Sequence, residues 1–205
     1  MNINNRGILL VISGPAGTGK GTVVKNMISK RDDIALSVSA TTRSPRKGEI
    51  DGVHYHFISF DKFKEMIDNS MLLEYNYYCG NYYGTPKEDV ENYLSDGKSV
   101  ILEIDIHGGL NIKKIYPDAV LIMLLPPDFK TLESRIRGRN ANTEDDIQNR
   151  LKIARQEIKK IADYDYVVFN QQEKCDDAAN EILNIIDSEK HRCSRNKNLL
   201  ELLND

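Results

Sequence analysis

The chain has no excess of positive charge: 28 Lys and Arg stand against 31 Asp and Glu, a net charge of -3. A global basic field for nucleic acid is excluded, so any anion site must be local. Cysteine is sparse. Cys79, Cys175 and Cys193 lie far apart and form neither a CxxC pair nor a metal-ligand spacing, so reduced thiols in a cytoplasmic setting are expected. Long apolar runs are missing too. ILLVI and VLIMLL are the longest, far short of the roughly 20 residues that span a bilayer. The opening MNINNRG lacks the basic-then-apolar layout of a secretory leader. No repeat and no low-complexity linker occurs. A cytoplasmic protein with neither nucleic-acid nor membrane partners is expected. What is present, 205 residues of which 40% are hydrophobic, suffices to bury a core without staples.

Residues 7–13, GILLVIS, form a continuous apolar run and predict a buried strand of a parallel sheet. Residues 99–105, 119–125 and 166–169 predict three more. Helical spacing separates them, with Val23, Val24, Met27 and Ile28 on a helix over 22–30 and a last amphipathic helix over 175–190. This βα alternation indicates an α/β domain with a mostly parallel sheet. Residues 37–93 differ, being rich in Tyr, Ser, Thr and Gly with short alternating segments, and predict a small mixed-sheet insertion. Pro126-Pro127-Asp128 opens a helix through Arg137, Arg139–Asn142 reads as a loop, and Thr143 caps a further helix with acids in its first turn.

Between the first strand and the first helix lies SGPAGTGKGT, residues 13–22. Glycine spacing lets the backbone N–H groups of Gly14, Pro15-Ala16-Gly17-Thr18 and Gly19 curl around phosphate oxygens (Pro15 itself having none to give), and the helix N-terminus adds partial positive charge. Lys20 brings a mobile cation to the outer phosphates. The usual hydroxyl directly after the lysine is absent: Gly21 stands there, and Thr22 follows. Mg²⁺, which that hydroxyl commonly ligates, then has to be held through water, Thr22 and a carboxylate elsewhere. The GKGT ending is similar to that of adenylate kinases, and no NKxD-like segment is present, which points to phosphotransfer rather than to a switch GTPase. Glu103 and Asp105 stand two apart on a predicted strand and so are expected on one face. Acids there can organise Mg²⁺; the plainer alternative is a solvent-facing pair.

Arg43 and Arg46 bracket Pro45 and can converge on one anion, since guanidinium forks match phosphate; a solvated basic loop is the alternative. Glu74 can accept from two adjacent N–H donors, a pair that guanine offers, while the hydroxyls of Ser39 and Thr85 can donate to its O6. Tyr55 and Tyr83 can add phenol donors to a phosphate, or simply pack.

SGPAGTGKGT, SVSATTRSPRKGEIDGVHYHF, LLEYNYYCGNYYGTP, VILEID and RIRGRNANTEDDIQNRL follow one another in this order. Together they closely resemble the guanylate kinase family, in its compact bacterial form, from about Gly7 to Ile186. The arginine segment with GNYYGTP is far more specific than the glycine loop. The resemblance implies a P-loop nucleoside monophosphate kinase fold: a core from 1–36, 94–127 and 150–190, a GMP-binding insertion over 37–93, a helical lid over 128–149, and a tail over 191–205 with no assigned role. It implies Mg²⁺-dependent transfer from ATP to GMP and dGMP. Ser39, Glu74 and Thr85 would read the base; Arg43, Arg46, Tyr55 and Tyr83 would hold the GMP phosphate with Glu49 in support. Lys20 and lid arginines Arg135, Arg139 and Arg150 would surround the phosphoryl group, with Glu103 and Asp105 at the substrate and Thr22 and Asp105 toward the metal. His107 departs from a Gln common in the family.

Three rivals stand beside this reading. A guanylate-kinase-like interaction module would have shed catalytic groups, whereas Lys20, Arg43, Arg46 and Glu74 are present. A kinase of another small phosphate ester would not need Glu74, Ser39 and Thr85 together. A nucleotide-regulated ATPase would leave the Arg43/Arg46 cluster without work.

Overall fold

The computed structural model describes residues 6–78, 80–138, 143–171 and 174–196. Five parallel strands build the main sheet in the order β2-β7-β1-β8-β9: β1 (Leu9–Ser13), β2 (Ile34–Leu36), β7 (Ser99–Glu103), β8 (Val120–Leu125) and β9 (Tyr166–Phe169). The apolar runs become central strands because both faces of a parallel sheet are covered. Ile8, Leu10 and Ile12 point to one side, where Val23, Val24 and Met27 of α1 (Lys20–Lys30) meet Ile182, Leu183 and Ile186 of α7 (Cys175–Lys190). Leu9 and Val11 point to the other, against α3 (Lys87–Ser95) and Ile112 of α4 (Ile106–Ile115). β1 lies at the centre, so the glycine loop leaves a strand buried along its whole length.

A second sheet, β4-β3-β6-β5, is mixed, as residues 37–93 predict. β3 (Ala40–Thr41) runs parallel to β4 (His56–Phe57) and antiparallel to β6 (Asn81–Pro86), which pairs with β5 (Leu72–Tyr78). The composition of this segment hid two helices, α2 (Phe60–Asp68) and α3. α2 buries Phe63, whose ring stacks on Tyr82 at 5.1 Å, and so closes one face of the sheet.

α5 (Phe129–Arg137) and α6 (Glu144–Ile158) make a helix pair with its own apolar seam of Leu132, Ile136, Ile147, Leu151 and Ala154. Asp128 caps α5, and Thr143 with Asp146 forms a reciprocal capping box on α6.

One expectation needs correction. The strand predicted through Asp105 stops at Glu103, and Asp105 is the N-cap of α4, its side chain accepting from the Gly108 N–H. A period of two does not continue past a strand end, so Glu103 and Asp105 do not share a strand face. Beyond α7 the chain is pinned to the core through residue 196. Glu189, 3% exposed, accepts from Tyr166 and Arg195, and Arg195 also donates to the Asp118 carbonyl. Residues 197–205 lie outside the described residues.

Candidate active site

The glycine loop runs from buried Ser13 into the first turn of α1. A Cβ on Gly14 would sit 2.2 Å from the Leu124 carbonyl oxygen, so only glycine lets the loop pass so close to β8. Gly19 has φ 87°, and a Cβ there would lie 2.5 Å from Nδ2 of Asn170. That amide, on a residue 6% exposed, donates to the Thr18 carbonyl at 2.8 Å. Arg135 of α5 reaches the same place, donating to the Asn170 carbonyl at 3.0 Å and the Thr18 carbonyl at 3.4 Å. Thr18 bonds back to the Pro15 carbonyl at 3.0 Å. The loop is thus braced from within, from β9 and from α5. Lys20 lies across it, its Nζ donating to the Gly14 and Pro15 carbonyls at 2.5 and 3.4 Å.

Gly21 needs no unusual backbone angle; its place is defined by Glu103. A Cβ on Gly21 would lie 3.6 and 3.7 Å from the two carboxylate oxygens of Glu103. The side-chain slot that the missing hydroxyl leaves faces this acid. Desolvation pushes the Glu103 carboxyl up, with Lys20 partly opposing. Thr22 is exposed beside it. Glu157 of α6, absent from the sequence-based expectations, belongs to the same charged group. Burial pushes its carboxyl up, Lys20 and His107 pull it down, and Asp105 adds repulsion.

Asp105 turns the other way. Its Oδ1 accepts from Gly108 at 2.8 Å and its Oδ2 from the Asn76 amide of β5 at 3.3 Å. Next to it is Glu74, whose Oε1 accepts from Thr85 Oγ1 at 2.8 Å. Burial raises the Glu74 carboxyl; the Thr85 bond opposes this, and the charge of Asp105 adds to it. Glu74 Oε2 points over the first turn of α4, 3.1 Å from where a Cβ on Gly108 would be.

The same sheet face continues to an arginine cluster. Asn76 is in register with Tyr83, and Tyr83 with Thr41, which pairs with Phe57. Both terminal nitrogens of Arg43 bond Glu49, each at 2.9 Å, and Glu49 also accepts from the Arg46 N–H at 2.6 Å. These donors hold the Glu49 carboxyl down at about 2, the Arg43 bond contributing most. The Arg43 guanidinium lies 5.4 Å from the Tyr55 ring and 5.7 Å from the Phe57 ring; Tyr55 meets Tyr83 edge-on at 6.1 Å. Such a cation, oriented by a carboxylate and aromatic faces, is preorganised for an anion.

A phosphate loop, a hydrogen-bonded carboxylate pair and an oriented arginine therefore sit on neighbouring elements. Comparison with known proteins decides the lineage. The family model described as guanylate kinase matches residues 6–189.

The chain belongs to the guanylate kinase family.

It is 49% identical over 195 residues to a guanylate kinase of Clostridioides difficile, covering 95% of this chain and 94% of that protein. It is 49% identical over 203 residues to one from Clostridium perfringens, covering 98% and 93%. Among solved structures, a guanylate kinase from Anaplasma phagocytophilum superposes with a TM-score of 0.78 at 32% identity, covering 97% of this chain and 94% of the other. As a guanylate kinase fold, the chain joins a parallel core, a mixed sheet and a helix pair.

Not every expected residue is engaged. Ser39 is held through its backbone, its carbonyl accepting from the His56 N–H at 2.9 Å. Among the described residues, the side chains of Arg46 and Arg150 make no hydrogen bond or ion pair. Arg139 lies outside the described residues. Among the described residues no group of three or more His, Cys, Asp and Glu gathers as a metal centre. No described helix is long and apolar enough to cross a membrane. Sequence reasoning missed Asn170, Glu157 and Asn76. Asn170 directly follows the strand run YVVF and Asn76 interrupts the aromatic stretch LLEYNYY, which is the local signal those two give; Glu157, within the polar run RQEIKK, gives none.

Proposed function

We propose that this member of the guanylate kinase family transfers the terminal phosphoryl group of ATP to GMP, giving ADP and GDP, with dGMP as a weaker acceptor. The observation that carries the reading is the sheet face shared by Glu74, bonded to Thr85, and Arg43, bonded to Glu49. It offers an acceptor for a base at one end and a cation for a phosphate at the other. Glu74 accepts the N1–H and 2-amino group of guanine, while Thr85 and Ser39 line the O6 side. Arg43 and Arg46, with the phenols of Tyr55 and Tyr83, hold the acceptor phosphate.

Phosphoryl transfer needs alignment and charge neutralisation more than covalent help. The loop's N–H groups and Lys20 hold the donor phosphates. Arg43 turns the acceptor oxygen in line with the donor. Arg139 and Arg150 stabilise the spreading charge, while Arg135, tied to Thr18 and Asn170, anchors the helix pair to the loop. In this reading residues 128–149 act as the lid, 37–93 as the acceptor-binding unit and the remainder through 190 as the core; lid closure excludes water, so ATP is spared from hydrolysis.

Mg²⁺ suits the donor set. The Glu103 carboxylate beside Gly21 and the Thr22 hydroxyl are hard oxygen groups of the kind this ion takes together with water and phosphate oxygens. When bound, it neutralises charge on the outer phosphates. Asp105, whose two oxygens are engaged beside Glu74, serves the base in this reading rather than the metal.

ADP release from MgATP, measured with GMP, dGMP, AMP, UMP, CMP, ribose 1,5-bisphosphate and no acceptor, tests the reading. Strong turnover with GMP, weaker with dGMP and almost none with the others is expected. Tight GMP binding without turnover would point to an interaction module instead, and turnover with another acceptor would reassign Glu74, Ser39 and Thr85.

A further inference from the structure

We infer that Asn76 is a positioning residue for guanine selectivity: its amide fixes Asp105 beside Glu74, so that the two carboxylates together grip the 2-amino group. The inference rests on the GMP reading above and deepens it. Asn is depleted in strands, yet here it interrupts LLEYNYY, a strand otherwise built from apolar and aromatic residues and one acid. Strand alternation turns Glu74 and Asn76 to one face, and the register with Tyr83 makes it the face of the arginine cluster.

The geometry then narrows the role. Asp105 would be free to rotate if it only capped α4, since the Gly108 N–H holds one oxygen. Asn76 Nδ2 holds the other at 3.3 Å. Two donors on two oxygens set the plane of the carboxylate. Glu74 is held in turn on one oxygen by Thr85 and keeps Oε2 over the same first turn of α4. Two like charges so placed repel, and the charge of Asp105 bears on Glu74. A neutral donor on Asp105 holds that carboxylate in place without adding charge. A 2-amino group carries two N–H bonds, one for each carboxylate, whereas hypoxanthine has no such group. Discrimination between GMP and IMP is therefore the property that Asn76 sets. Asn76 also links β5 to the helix cap of the core, so it orders the base pocket across the seam between the two sheets.

The test compares Asn76→Ala, its isostere Asn76→Asp, and Glu74→Gln, each with GMP and IMP at saturating MgATP. Loss of a hydrogen bond to a charged group corresponds to about tenfold in affinity. Asn76→Ala should lower kcat/KM for GMP about tenfold, through KM, and for IMP about twofold or less. Asn76→Asp, which keeps the shape but removes the donor and adds a charge, should lose more GMP selectivity still. If both Asn76 variants keep wild-type GMP/IMP selectivity while Glu74→Gln loses GMP turnover, the inference is wrong and the acceptor reading stands. If Glu74→Gln turns over GMP like wild type, the base reading itself fails and takes the inference with it. Equal loss for both nucleotides, through kcat and with a lower melting temperature, would make Asn76 a packing residue and overturn the proposal.

Discussion

Replacing Glu74 by Gln separates function from stability, because the two should move in opposite directions. The amide keeps an oxygen for Thr85 Oγ1, which now bonds the carboxylate at 2.8 Å. Its NH₂ group must then take the place of Oε2 and point at a base edge that offers only donors. Two charge-assisted hydrogen bonds are lost, each roughly 1.5–3 kcal/mol. At about 1.4 kcal/mol per tenfold, kcat/KM for GMP should fall by about 10²–10⁴. Stability should rise instead. Burial holds the Glu74 carboxyl above its ordinary value of 4.5, so the folded protein retains a proton that the unfolded chain releases. Folding is favoured while the group is protonated and progressively disfavoured as pH climbs from 4.5 through the raised value. A neutral glutamine escapes this penalty. The melting temperatures of variant and wild type should therefore coincide near pH 4 and diverge in favour of the variant toward pH 7. Steady-state kinetics with varied GMP, together with melting curves across that range, check both arms. GMP kinetics within threefold of wild type, or a loss of activity matched by a lower melting temperature at pH 7, would refute the argument.

Arg43→Ala should lower GMP turnover strongly, with far-UV circular dichroism unchanged, because Arg43 bonds Glu49 within one loop rather than within the core; wild-type kinetics would remove it from the phosphate site. Asn170→Ala should raise KM for ATP several-fold and lower stability by about 1–3 kcal/mol, the usual consequence of a lost buried hydrogen bond, since the Thr18 carbonyl keeps only the longer Arg135 contact at 3.4 Å. Equilibrium urea unfolding alongside ATP kinetics measures both. Gly21→Ser should fold normally, because its Cβ would stand at ordinary contact distance, 3.6 Å, from Glu103, and helix propensity favours it by a few tenths of a kcal/mol. Its hydroxyl should lower the Mg²⁺ concentration for half-maximal rate, read by titrating Mg²⁺ at fixed ATP.

Legibility in the sequence followed the range of the forces involved. β1, the glycine loop and α1 could be read because burial on both faces and loop geometry each leave a contiguous signature. Strand 166–169 and the Thr143 cap were legible for the same local reason. α2 and α3 were not, since each buries only one or two apolar residues, Phe63 in one and Val90 with Leu94 in the other. Extending alternation to Asp105 failed because a helix cap took over after Glu103. Asn170 could not be placed from sequence because its partner, Thr18, is 152 residues away. No local pattern encodes a contact at that separation. Residue chemistry and spacing brought out Arg43, Glu74 and Thr85, and the resemblance to guanylate kinases brought out Glu49, but the different placement of Glu103 and Asp105 needed coordinates.

The bracing of the glycine loop also bears on how the protein is made. Its strand, β1, pairs with β7 and β8, and the loop is buttressed by Leu124 and Asn170. The covering helix α7 ends at Lys190. A ribosome moving from the N-terminus delivers the loop early and its supports late. Until β8, β9 and α7 have been made, the nascent chain therefore carries the letters of a phosphate binder without the shape, and the growing polypeptide has little means of capturing ATP prematurely. Long-range pairing of this kind also slows folding. The step that completes the donor pocket should therefore wait until β9 and α7 have been made.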